Sequence, residues 1–69
     1  MKDLRETMLD AARNHALAHI EKHRTNVEIY LRHPVGVGEH SDIMDSIEKE
    51  LDEMAKYHDH LEMLDKYFK

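Results

Sequence analysis

The chain's single proline and both of its glycines fall within five residues, Pro34-Val35-Gly36-Val37-Gly38. Proline cannot continue a helix, and glycine reaches backbone conformations that other residues avoid, so the chain is expected to turn here. On either side the sequence favours helix. The expected fold is all-α: a two-helix antiparallel hairpin occupying residues 1–69 as one domain. Its helices should run over about 3–32 and 42–67, with a loop over about 33–41.

A chain of 69 residues buries only a modest fraction of its surface, and folds of this size usually need a disulfide, a metal or a partner chain. It has no cysteine, which removes disulfides and thiolate metal sites. No apolar run approaches the roughly 20 residues of a membrane span. Met1-Lys2-Asp3-Leu4-Arg5-Glu6 lacks the apolar stretch of a signal peptide, so a cytoplasmic protein is expected. The formal charge is −5, unevenly placed: residues 1–33 carry six Lys/Arg and five Asp/Glu, residues 34–69 four and ten. That balance argues against a nucleic-acid partner, which needs a basic stripe. It suits a basic-leaning arm lying beside an acidic one.

In the first arm Leu9, Ala12, Ala16, Ile20, His23, Val27 and Tyr30 recur at helical spacing. A second stripe runs through Leu4, Met8, Ala11, His15 and Ala18, and Leu17 and Leu31 lie off both. Thr25-Asn26-Val27-Glu28 matches a capping box and could restart a helix. With no glycine or proline nearby, one continuous helix is favoured. Glu28 can pair with Arg32, and Pro34 should end the helix at about Arg32. The second arm opens at Ser41-Asp42, either of which can cap it. Met44, Ile47, Leu51, Met54, Tyr57 or His58, Leu61, Leu64 and Phe68 then form a heptad-like seam. Asp52–Lys56 and Glu62–Lys66 have the supportive acid-before-base spacing.

Folding the arms together pairs positions that sum to roughly 74. Val27 then faces Ile47, Ile20 faces Met54, Ala16 faces His58, and Tyr30 faces Met44. Two helices share one seam, yet the first arm displays two stripes. A homodimer forming a four-helix bundle would remove the remainder from water. The residues expected to drive self-association are Leu4, Met8, Leu9, Leu17, Ile20, Val27, Ile47, Leu51, Met54, Leu61 and Leu64.

Seven histidines invite a metal reading. His15, His19 and His23 stand at i, i+4 and i+8, and the register brings His58 and Glu62 towards them. His15, His19, His58 and Glu62 are therefore the candidate ligands for zinc or nickel, or for copper. Packing alone accounts equally for seam histidines such as His23 and His58. Named metal motifs fail: in His19-Ile20-Glu21-Lys22-His23 the glutamate is one residue too late for a zincin, and Glu-x-x-His is absent. Histidine titration near pH 6.5 offers a pH switch instead, because protonating His23 and His58 in a buried seam would oppose assembly. Gly36-Val37-Gly38 before a helix lacks a preceding strand and is followed by Glu39, Asp42 and Asp45, which would repel a phosphate. Ser41 reads as a cap, and no nucleophile–base pair can be named.

Asn26-Val27-Glu28-Ile29-Tyr30-Leu31, then His33-Pro34-Val35-Gly36-Val37-Gly38-Glu39-His40-Ser41-Asp42-Ile43, resembles a segment of small uncharacterised proteins of T4-like marine bacteriophages. The similarity continues through Glu48-Lys49-Glu50-Leu51-Asp52-Glu53 and Tyr57. It implies a viral origin and expression in a host bacterial cytoplasm. It brings no activity, cofactor or site residues.

The resulting expectation is a non-enzymatic helical interaction or structural protein, needing no cofactor, that acts through self-association and a protein partner. Two alternatives stand beside it: a histidine-rich metal-binding bundle, and an acidic decoy that occupies a host nucleic-acid-binding protein.

Overall fold

A computed structural model describes residues 3–32 and 42–69. Two α-helices make up the fold, α1 (Leu4–Arg32) and α2 (Ile43–Tyr67), and the described residues contain no strand. The turn expected over 33–41 and the Ser41 cap lie outside the described residues.

The helix starts follow from local chemistry. Asp3 begins α1: its Oδ1 accepts the Glu6 backbone N–H at 2.8 Å, satisfying one amide that the helix itself leaves unpaired. Asp42 is the N-cap of α2 and accepts from the backbone N–H groups of Met44 at 2.8 Å and Asp45 at 3.4 Å. The carboxylate also opposes the positive end of the helix dipole. At the other end, the Phe68 N–H donates to the Leu64 carbonyl at 3.1 Å. The capping-box sequence at Thr25 does not restart α1. Thr25 Oγ1 donates back to the Glu21 carbonyl at 2.8 Å, and the helix continues unbroken through it.

The helices run antiparallel. His23 meets Glu50, Arg13 meets Asp65 at 2.7 Å, and Arg5 Nη2 stands 3.5 Å from the Lys69 carbonyl oxygen. Only three described residues are buried: Ala16 at 0 % exposure, Ile47 at 7 % and His23 at 9 %. Ala16 is fully covered, because a methyl side chain lets a second helix lie directly against the first. Leu9, Ile20, Val27, Met54, Leu61 and Leu64 line the seam half-buried, while Leu4, Met8, Leu17 and Leu51 remain exposed. The eleven residues expected to drive self-association are therefore not one surface: Ile47 and the half-buried six already serve the hairpin's own contact.

Two expected ion pairs give way to others. Lys56 Nζ meets Glu53 at 2.9 Å rather than Asp52, and Glu62 meets His58 at 3.5 Å rather than Lys66. Lys66 instead sits over the Tyr67 ring at 5.3 Å. The Glu28–Arg32 pair forms at 3.3 Å. All of these are exposed and contribute little to stability.

The molecule measures 52 × 21 × 14 Å. Its thinnest dimension is little more than the about 10–12 Å diameter of one helix with its side chains. Its radius of gyration is 15.8 Å, against about 11 Å for a compact chain of this length. One layer of two helices has a single seam and two open faces.

Candidate functional site

Arg13 and His19 each lie three residues from Ala16, so they project about 60° to either side of the seam and define the two faces. The His19 side carries a run of rings. His15 and His19 have centroids 4.4 Å apart, and Tyr57 of α2 stacks on His19 at 4.3 Å with the planes 15° from parallel. His15 meets the Tyr57 edge at 5.7 Å, and His60 meets it at 5.3 Å from the α2 side. His23 continues the stack beyond His19, with centroids 6.0 Å apart. Four-residue spacing on α1 aligns the three histidines, and one tyrosine from α2 seals them. His19 Nδ1 is buried and makes no hydrogen bond among the described residues.

The ladder ends in a polar tie across the seam. Glu50 Oε1 accepts from His23 Nδ1 at 2.8 Å and from Asn26 Nδ2 at 2.7 Å. A carboxylate can only accept, so His23 carries its proton on Nδ1. Burial alone would raise the Glu50 pKa. The hydrogen bonds from His23 and Asn26, with the positive charge of His23 and Lys22, outweigh it and hold the carboxyl below its ordinary value. His19 is shifted the other way relative to its charge. Loss of water, then the positive neighbours His15, Lys22, His23 and Lys56, lower its pKa from 6.5. Beside it, the hydrogen bond from Lys56 holds Glu53 low, and the same bond holds Lys56 high.

The four candidate metal ligands are not brought together. His15 and His19 are neighbours, but His58 faces solvent beside Glu62 and lines a shallow groove with Ile20, Met54, Ala55 and Asp59 on the Arg13 side. Among the described residues no group of three or more His, Cys, Asp or Glu is placed to hold one metal ion. The reason is the 100° helical step: Tyr57 projects to the histidine side of the seam, so His58 projects to the other. His58 is accordingly not a buried seam residue, which also takes it out of the expected pH switch.

Sequence reasoning passed over Glu50, Asn26 and His60 as site residues. Glu50 had a usable signal: it lies three residues after Ile47 and four before Met54, an acid placed on the apolar stripe. Asn26 was masked by its capping-box context. His60 offered no signal until the orientation of Tyr57 was known.

No protein-family model, curated protein or solved structure matches this chain. No helix among the described residues is long and apolar enough to cross a membrane.

Proposed function

We propose that this protein is a non-enzymatic helical interaction protein whose working form is a homodimer, a four-helix bundle built from two hairpins. The observation that carries the proposal is the single-layer architecture. The chain exposes 5513 Å², whereas a compact monomer of 8.2 kDa exposes about 4,500 Å². The excess of about 1,000 Å² is close to the roughly 800 Å² that each partner of a stable complex buries. A second layer of helices supplies the third and fourth walls that a two-helix fold lacks. The resemblance of the 26–57 segment to phage proteins is the ground for expecting a bacterial cytoplasm as its compartment.

Sedimentation equilibrium over micromolar concentrations tests the assembly. The expected mass is twice 8.2 kDa, falling towards the single-chain value as dilution splits the dimer. A helical monomer at 100 µM would remove the basis of the proposal.

A further inference from the structure

The two open faces are not equivalent, and the difference selects how a second copy binds. On the histidine face the middle is occupied by His15, His19, His60, Lys22, Lys56 and Glu53, whose polar groups would each have to lose water. Its exposed apolar groups lie at its two ends, Leu4 and Met8 towards the chain termini and Ile29, fourteen residues after His15, towards Arg32. The opposite face differs. Leu17 precedes Ile20 by one turn, and Leu31 follows Leu17 by fourteen residues, so both lie on the Arg13 side of α1. Leu51 precedes Ala55 by four and His58 by seven, and Met44 precedes Leu51 by seven, which puts both on the same side of α2. These four side chains are between 47 % and 62 % exposed. They lie on the same side of the hairpin as the groove lined by Ile20, Met54, Ala55, His58 and Asp59, in which Ile20 and Met54 are half-buried. The Arg13–Asp65 ion pair bounds the patch towards the termini.

Resting on the dimer reading above, we propose that a second copy of this chain covers this leucine face, with the two-fold axis parallel to the helices. Each α1 then lies over the partner's α2, and the Arg32 and Asp42 ends of both copies sit together. Charge decides the orientation. Segment 3–32 has five Lys/Arg and five Asp/Glu, whereas segment 42–69 has four and nine. An axis across the helices would instead stack α2 on α2, setting like-charged surfaces against each other. It would also oppose Arg24 to its own copy, since Arg24 lies midway between Leu17 and Leu31 along the same side. The parallel axis sets the neutral helix against the acidic one and brings Arg13 and Arg24 towards the partner's acidic rim. The contact is isologous and closed, so assembly stops at two.

The test uses the full chain, as wild type and as five single variants. Leu17→Glu and Leu51→Glu are exposed in the single hairpin. Each should keep it helical by circular dichroism while weakening dimerisation at least 100-fold in sedimentation. Leu4→Glu and Met8→Glu, on the histidine face, should change it less than threefold. A nitroxide at Lys66→Cys, in a chain with no other cysteine, reads the orientation by electron–electron dipolar spectroscopy. The expected separation is about 20–30 Å with the ends together and about 45 Å with them apart, from 1.5 Å rise per residue. Dimers that survive Leu51→Glu but not Met8→Glu would overturn the choice of face. A 45 Å separation would overturn the orientation. A wild-type monomer would overturn the underlying dimer reading instead, so the failures are distinguishable.

Discussion

Replacing Glu50 by alanine should be the most damaging single change to a polar side chain in this hairpin. One carboxylate oxygen holds two donors from α1, at 2.8 Å from His23 and 2.7 Å from Asn26. The His23 and Glu50 side chains are 11 % and 16 % exposed, so water replaces the lost acceptor poorly. Hydrogen bonds to a charged group contribute about 1.5–3 kcal/mol each. Taking the lower end for a site at the edge of a thin seam, Glu50→Ala should cost about 3 kcal/mol. At about 4–8 °C per kcal/mol for a domain this small, the melting temperature should fall by at least about 12 °C. Glu50→Gln keeps an acceptor oxygen without the charge and should cost about half as much. Acid gives a second signature. The Glu50 carboxyl is held below its ordinary 4.5 in the fold, so its stabilisation is complete above that value and is lost as pH falls through the folded pKa. The gap between wild type and Glu50→Gln should therefore close as pH falls below about 4.5. Thermal melts by circular dichroism, at one fixed protein concentration, measure both. A Glu50→Ala melt within 3 °C of wild type, or a gap unchanged at pH 3.5, would refute the reasoning.

Ile47→Ala should lose about 2–3 kcal/mol, because Ile47 is the only large apolar side chain among the described residues that is buried, and a thin layer collapses partly into the gap; urea titration measures it. Asp42→Ala should lose about 1 kcal/mol by freeing the Met44 and Asp45 amides, read in the same titration, and an unchanged midpoint would show the cap idle. For His19 the folded pKa is lowered from 6.5, so the unfolded chain takes up the proton first and stability falls as pH drops from about 6.5 through the folded value. Between pH 7.5 and 5.5, His19→Gln should therefore lose less melting temperature than wild type; an equal loss would place the acid sensitivity elsewhere.

The helices and most of their seam were legible because both rest on local information, although Met44 and Leu51, read as seam residues, are exposed. Apolar spacing of three and four fixed which side of each arm is buried, and Asp42 announced the start of α2 by its chemistry. The partners of the charged side chains were not legible. Lys56 reaches Glu53 rather than Asp52, and Glu62 reaches His58 rather than Lys66, because both spacings are available on a helix and rotamers choose between them. The site was half legible. Three histidines at four-residue intervals were visible, but the ring that binds them together was not.

By itself, then, the sequence determined two amphipathic helices, one ending at Arg32 and the next starting at Ile43, and the shortage of core that a two-helix chain must suffer. Only the tertiary structure decided which face each ambiguous residue joins. A seam that could take Tyr57 or His58 was resolved by the rotation of α2 about its axis, a single angle that spacing leaves free within about 50°. That angle puts Tyr57 on the histidines, sends His58 to the opposite groove, separates the four candidate metal ligands and leaves one face polar in its middle and the other carrying exposed leucine and methionine. Periodicity fixes the stripe; packing against a second helix fixes where its edges fall.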